Sequence, residues 1–480
     1  MKTIPTSNQP APINPTLKGG FGLIPEVNLS GSGKAFMNRR GFLKLGLAGV
    51  LLSDTEISGL LPSALGQEPS PIKPVRLGVI GTGNRGRGLM RVLAAMPGVE
   101  FSALCDINQE NLELGMKIVQ EARKYRPEGY AKGPFDYRRM IERRDLDAVM
   151  IATPAALHAS MSIDCLLAGK NVGAEVPGAY TLEECWALIR AKEKSGRHYM
   201  LLENYNYTQD RMMIYSMIRQ GLFGRLYYGE CAYLHETDAM NFNRDGSLTW
   251  RGELRRDASG NWYPTHSIGP VSKWMEINDG DRLDTIVCMQ SAPVMAHVHA
   301  AEQFGSDSEQ AKIKWKTGEY ICCLIQTAQG RMIKMDFGPV SPRPHQIYYG
   351  IQGTKGGWDS RLGVYLKGVS GLGEQQRQPA FEPLAKYTKS YDSTYWREMR
   401  RQATSTGHGG GDYFVLHDFI QMARQDREPW IDVYDSATWS ILYECSRQSL
   451  EKGGSPVSIP DFTEGRWKRS DWRQKNLRPF

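Results

Sequence analysis

The 480-residue sequence predicts an α/β chain in two folded parts behind a leader: a parallel, doubly wound sheet first, then an α+β part with a large, mostly antiparallel sheet. Three observations carry this expectation. Strand and helix patterns alternate from Val75 to about Met200, as in a parallel sheet joined by crossover helices. The first apolar run, Val75 to Ile80, ends in G-x-G-x-x-G at Gly81, Gly83 and Gly86, and a helical pattern follows through Leu89, Met90, Val92 and Leu93. From about Leu226 the pattern changes to longer alternating strands. The ~410 residues beyond the leader exceed a single hydrophobic core, which calls for two domains. Their expected bounds are 1–66 for the leader, 74–203 and 204–460 for the two domains, and 461–480 for a basic tail around Trp467-Lys468-Arg469.

The leader carries its own chemistry. Asn38-Arg39-Arg40-Gly41-Phe42-Leu43-Lys44 is a twin-arginine pattern, a short apolar stretch runs from Leu45 to Leu52, and Ala64-Leu65-Gly66 offers a small-x-small cleavage site. That apolar stretch is too short to span a bilayer, so the order of features predicts a signal peptide and not an anchor. The expected destination is the periplasm or the exterior, with Met37 as a second possible start. Twin-arginine export moves folded proteins, which suits a chain that must fold around a nucleotide before it leaves.

The nucleotide is read from the first strand and its turn. A buried strand that enters a helix through glycines lets the backbone approach a pyrophosphate at the helix N-terminus. The second apolar run, Val99 to Leu104, ends at Asp106, about 20 residues past the last glycine, where a carboxylate can accept from ribose hydroxyls. This is an N-terminal Rossmann dinucleotide-binding domain, and the expected cofactor is NAD. Gly81, Gly83, Asn84, Arg85 and Gly86 form the turn that holds it. Leu146 to Ala152 is a near-continuous apolar strand, suited to a sheet buried on both faces, and it ends in Thr153-Pro154-Ala155 with His158 starting the next helix. Asn171 to Val176 is another strand, ending in Glu175-Val176; Thr181 to Glu184 opens a helix with a capping-box pattern, and Tyr199 to Glu203 is the next strand before Asn204. Thr153, Pro154, Ala155, His158, Glu175, Val176 and Asn204 are therefore expected around the cofactor. For Glu175, a strand-end carboxylate that caps a helix is the competing reading.

The second half reads as strands Tyr227 to Leu234, Thr285 to Met289, Tyr320 to Thr327, Met332 to Phe337 and Gln346 to Gln352, with helices at Tyr413 to Ala423 and Ala437 to Ser449. The active site is expected where this sheet covers the carboxyl ends of the first domain's strands, and its open face could pair into a homo-oligomer. His297-Val298-His299 reads as a strand with two imidazoles on one face; without a third ligand nearby, or an H-E-x-x-H pattern, no metal is expected. Eight cysteines without C-x-x-C spacing suggest buried thiols and no disulfide framework. Net charge is +7, partly from leader and tail, and no basic patch with interleaved aromatics points to nucleic acid.

G-x-G-x-x-G, Asp106, and Ala152-Thr153-Pro154 with His158 resemble the glucose-fructose oxidoreductase and inositol dehydrogenase superfamily. Its dehydrogenases end the strand after T-P in E-K-P, whose lysine assists proton removal, and carry an aspartate shortly before a histidine in the second domain. This chain instead reads Glu175-Val176-Pro177, and Tyr263-Pro264-Thr265-His266 without that aspartate. Both departures are similar to glycoside hydrolase family 109, NAD-dependent glycosidases. Further shared motifs are Leu182 to Trp186, E-N at Glu203-Asn204 with Tyr207, Trp250-Arg251, Asn278 to Arg282, Ser341 to Pro344, Gln352 to Thr354, and H-G-G-x-D at His408 to Asp412. Thr208-Gln209, where the family usually has arginines, and His345, where it often has tyrosine, depart from the pattern and flank the expected sugar pocket.

The resemblance implies an enzyme acting on terminal N-acetylgalactosaminides or a related glycan, with NAD retained through oxidation, elimination, water addition and reduction, and the leader adds export. His266 can relay protons near neutral pH, and Tyr207 or Tyr263 can act as acid or base where a cation lowers the phenol pKa. With Glu175 these are the expected catalytic residues. Tyr207, Arg251, Tyr263, His266, His345 and His408 are expected on the substrate, with an Arg251–Glu253 ion pair as the competing reading for Arg251. A periplasmic NAD(P)-dependent sugar oxidoreductase is the alternative, against which Val176 speaks; a nucleotide-holding protein without catalysis is a third.

Overall fold

The computed structural model describes residues 73–340, 342–370 and 379–473. The twin-arginine pattern, its apolar stretch, the cleavage site and Ser341 lie outside the described residues. The first sheet has six parallel strands: β1 (Val75–Ile80), β2 (Val99–Cys105), β3 (Glu128–Tyr130), β4 (Ala148–Ile151), β5 (Asn171–Ala174) and β6 (Tyr199–Leu201), in the order β3-β2-β1-β4-β5-β6. Every residue of β4, β5 and β6 is buried, which is why these strands read as unbroken apolar runs. The order reverses between β1 and β4, so a crevice opens at the carboxyl ends of these two strands. The capping box is present: Thr181 Oγ1 accepts from the Glu184 N–H, and Glu184 accepts from the Thr181 N–H.

The second sheet has eight strands: β7 (Leu226–Leu234), β8 (Leu283–Gln290), β9 (Ile321–Thr327), β10 (Met332–Gly338), β11 (Gln346–Gly353), β12 (Gly356–Asp359), β13 (Gly363–Leu366) and β14 (Val457–Ser458). Their order is β13-β12-β11-β7-β10-β9-β8-β14, and only the β7–β10 pair is parallel. Helix Thr265–Trp274 is buried along its whole length and packs on β7, β10 and β11. Helix Gly411–Gln425 returns to the first sheet: a Cβ on Gly173 of β5 would lie 2.8 Å from the Phe419 ring. Residues beyond 204 thus build part of the first layer's packing as well as the second sheet.

Three expectations need correction. His297 and His299 lie in helix Met295–Phe304 and not on a strand; two residues apart on a helix, their side chains diverge by about 200°. The helix expected over Ala437 to Ser449 is two helices, Val433–Ser440 and Leu442–Glu451. The expected basic tail is packed where it is described: Phe462 and Trp467 are buried, and Arg473 donates to Asp432 at 2.8 Å and to Asp435 at 3.1 Å. All eight cysteines are free and seven are buried. No described helix is long and apolar enough to cross a membrane.

Candidate active site

The glycine turn shows what each glycine is for. Gly81 has φ +92°, and a Cβ there would lie 2.7 Å from the Ala152 backbone; a Cβ on Gly86 would lie 2.0 Å from the Gly81 carbonyl oxygen. Gly83 differs. It has φ −65°, and no described atom lies within 4 Å of a Cβ built on it. Its open side belongs to a cleft of about 990 Å³, in the size range of ligand pockets. Gly83 also caps helix Asn84–Ala95 without a side-chain bond to the first turn among the described residues, so those N–H groups remain for an anion. Asp106 lines the cleft at the end of β2; its Oδ2 accepts from the Thr82 N–H at 2.7 Å and its Oδ1 from the Asn108 N–H at 2.9 Å. Open glycine, uncapped helix and strand-end carboxylate together fit a dinucleotide.

Thr153, Pro154, Ala155, Glu175, Val176 and Asn204 all line the same cleft. His158 reaches its floor but is 2% exposed, with Nδ1 2.8 Å from the Pro177 carbonyl and Nε2 2.9 Å from that of Thr153. Burial lowers its pKa. In the neutral form it donates to only one of these two carbonyls, and it lines the cleft in which it is expected. Arg85 lines the cleft as well, with its charge bonded to carboxylates. Its Nε donates to Glu175 at 2.6 Å, and its two terminal nitrogens donate to Asp412 at 2.9 Å each. The guanidinium is committed to two carboxylates, so phosphate recognition falls to the backbone of the turn.

His266 stands in the first turn of helix Thr265–Trp274, and its Nδ1 lies 2.8 Å from Oε1 of Glu203, which is fully buried. A carboxylate only accepts, so Nδ1 carries the proton and the Nε2 lone pair is left for the cleft that His266 lines. Glu203 is fixed in turn by the N–H groups of Tyr205 and Asn206, at 3.0 Å each. A second such pair stands beside it: His408 Nδ1 lies 3.0 Å from Asp412 Oδ2, and the two imidazole centroids are 6.5 Å apart. Burial works to raise the Asp412 pKa, but hydrogen bonds from His408 and Arg85 and their charges hold it far below the usual carboxylate range.

Tyr263 and Tyr233 complete this wall, with ring centroids 5.2 and 5.4 Å from His266. Burial pushes the Tyr263 phenol well above its ordinary value, with Tyr233 and Glu175 adding to the rise against Arg251 and Arg85; burial takes Tyr233 up to about 12. Both phenols are protonated near neutral pH in the nucleotide-free protein and can donate hydrogen bonds. Arg251 lines the cleft with its guanidinium 4.2 Å from the Trp250 ring centroid.

Two expected substrate contacts lie elsewhere. Tyr207 is fully buried outside the cleft lining and donates to Asp418 at 2.7 Å; its near neighbour Tyr205 is the one whose ring meets His266, at 4.8 Å. His345 is outside the lining as well, 4.2 Å from the His235 ring and 5.5 Å from Tyr233. Burial and the neighbouring His235, His408 and His266 lower its pKa to about 4, so it is neutral at physiological pH. The Thr208-Gln209 departure does not bear on the pocket: Thr208 bonds locally and Gln209 donates to Asp392 at 2.9 Å. Sequence reasoning gave no role to Glu203, Asp412 or Tyr233. Glu203 and Asp412 stood in noted motifs, whereas Tyr233 had no signal beyond strand alternation.

The oxidoreductase-family, NAD-binding Rossmann-fold model matches residues 75–202, and that of the glycosyl hydrolase 109 C-terminal domain matches 207–469. A glycosyl hydrolase family 109 protein of Shewanella pealeana is 34% identical over 90% of this chain and 97% of its own length. An alpha-N-acetylgalactosaminidase of Shewanella oneidensis is 35% identical over 85% of this chain and 89% of its own. Among solved structures, levoglucosan dehydrogenase in complex with NADH has a TM-score of 0.63 at 20% identity, covering 81% of this chain and all of that one. An oxidoreductase domain protein from Kribbella flavida has the same TM-score at 17% identity and the same coverage. Both share the fold: a parallel nucleotide-binding sheet followed by a mostly antiparallel one. With NAD as its cofactor, the chain is a glycoside hydrolase and belongs to glycosyl hydrolase family 109.

Proposed function

We propose that the protein is an exported glycosidase that removes terminal N-acetylgalactosamine by a redox-assisted elimination, with NAD kept in place between turnovers. The observation that carries this reading is a pair of histidine–carboxylate dyads on the wall of a nucleotide cleft whose strand end offers Val176 instead of an amine. Held by the turn at Gly81 and Gly83 and by Asp106, NAD+ would supply a hydride acceptor for C3 of the sugar and a hydride donor at the end, which would acidify the C2 proton meanwhile and leave no net oxidation. That route requires proton removal from the O3 hydroxyl and from C2. His266 takes the C2 proton through Nε2, and Glu203 stabilises the imidazolium that forms. His408, oriented by Asp412, serves the O3 proton. The protonated phenols of Tyr263 and Tyr233 donate to sugar or leaving-group oxygens, and Arg251 forks onto an acetamide or hydroxyl oxygen. The sugar is supported by the relative named for that activity, and export by Arg39-Arg40 with the apolar stretch after it.

Cleavage of a nitrophenyl N-acetylgalactosaminide in deuterated water, without added nucleotide, tests the mechanism. The released sugar should carry deuterium at C2. Aglycone release with C2 unlabelled would overturn elimination, and a plain dehydrogenase would release no aglycone. Replacing Arg39 and Arg40 with lysine should leave the activity in the cytoplasm; unchanged export would refute the twin-arginine route.

A further inference from the structure

We propose that Asp412, acting through Arg85, is the residue that keeps the nucleotide from leaving: an ion-pair clamp between the glycine turn and the second half of the chain. Arg85 belongs to the turn itself, between Gly83 and Gly86, and lines the cleft, yet its charged end is bonded to carboxylates. Its partner Asp412 lies 327 residues away, in the first turn of helix Gly411–Gln425. The contact is bidentate at 2.9 Å on both arms, the strongest geometry open to a guanidinium and a carboxylate. Asp412 has little freedom of its own: Asn204 Nδ2 donates to it at 2.7 Å, His408 Nδ1 lies at 3.0 Å, and a Cβ on neighbouring Gly411 would lie 2.3 Å from the Asn204 carbonyl oxygen.

The turn's backbone N–H groups hold the pyrophosphate only while the turn keeps its shape. Its outermost side chain is anchored at Glu175 on one side and Asp412 on the other. Release of a dinucleotide seated between the turn and the wall bearing His266 and His408 requires those two to part. Asp412 bonds to both the turn and that wall. Breaking the pair therefore loosens the turn and the wall together. This gives Asp412 a positioning role rather than a catalytic one, and makes cofactor retention a property of one partly buried ion pair.

The inference rests on the retained-cofactor reading, and one experiment separates the two. NADH release from the full-length purified protein is followed by loss of its fluorescence after dilution into excess NAD+. Wild type is compared with Asp412→Asn, Arg85→Lys and a control, Glu428→Gln. The control removes a different contact between the two halves, Lys192–Glu428, remote from the turn. Asp412→Asn should release NADH at least about tenfold faster, equivalent to ~1.4 kcal/mol. Arg85→Lys, whose single ammonium cannot fork, should also release faster. Glu428→Gln should lose thermal stability without a change in release. Equal release rates in wild type, Asp412→Asn and Arg85→Lys would overturn the clamp, as would equal acceleration by the control. Rapid release from wild type itself would overturn the retained-cofactor reading, while the ratio of rates still judges the clamp.

Discussion

His266 owes its usefulness to one atom of Glu203, which fixes the Nδ1 proton and frees Nε2. His266→Ala should therefore keep its nucleotide while losing on the order of 10²-fold or more in turnover, the usual loss for a general acid or base. Tyr207→Phe should retain nearly full turnover and cost about 1 kcal/mol of stability, because it removes one buried hydrogen bond to Asp418 and nothing from the cleft. Steady-state rates and urea midpoints of the two variants check this contrast; a large rate loss in Tyr207→Phe would restore that residue to the site. His266 was legible in Tyr-Pro-Thr-His because the motif is specific and falls on a helix start. The tyrosine was not. Tyr205 and Tyr207 share a single 3₁₀ turn, with about three residues per turn, so which ring meets His266 depends on that turn's placement and on no periodicity in the sequence.

At the scale of elements, the glycine turn divides sharply into glycines that fit the protein and one that fits its ligand. Gly83→Val meets no steric conflict at Cβ and needs no unusual φ, so the folded chain should tolerate it while the pyrophosphate loses its approach. The variant should purify empty, with a thermal midpoint close to that of nucleotide-free wild type; nucleotide at wild-type occupancy would refute the assignment of the turn. Gly86 cannot serve for this test, because its Cβ would collide with the Gly81 carbonyl. The turn and the buried strands around it were legible because each follows from a local pattern. The second sheet's strands were legible for the same reason, but its order was not: β7 pairs parallel with β10 although β8 and β9 come between them in the chain. The three-residue alternation His297-Val298-His299 imitates a strand and is too short to separate period 2 from a helical turn.

Across the whole molecule, the two halves are held by charges that are far apart in sequence. Arg85 meets Asp412 and Lys192 meets Glu428 across the halves, and Arg473 meets Asp432 and Asp435 within the second. Composition could not reveal these pairs, and that is why residues 461–473 read as a free basic tail although they are packed. The pairs also set how stability depends on pH. Burial alone would raise the carboxyl of Glu428, but His198 and Lys192 bring it down to about 2; Asp412 is held lower still by His408 and Arg85. A carboxyl whose folded pKa is depressed binds fewer protons in the folded state than in the unfolded one. Its stabilisation is fully present above the unfolded value of about 4 and is lost as pH falls toward the folded value. Nucleotide-free wild type should thus show a urea midpoint that declines gradually below about pH 6.5, where unfolding lets the depressed imidazoles of His345 and His158 take up protons, and steeply below about pH 4, where the paired carboxyls protonate. Asp412→Asn should begin from a lower midpoint at pH 7, decline less steeply in acid, and converge with wild type at the lowest pH at which both still fold. Parallel curves at all pH values would mean that Asp412 is not ionised against Arg85 in the folded protein, and that the link between the nucleotide turn and helix Gly411–Gln425 is not electrostatic.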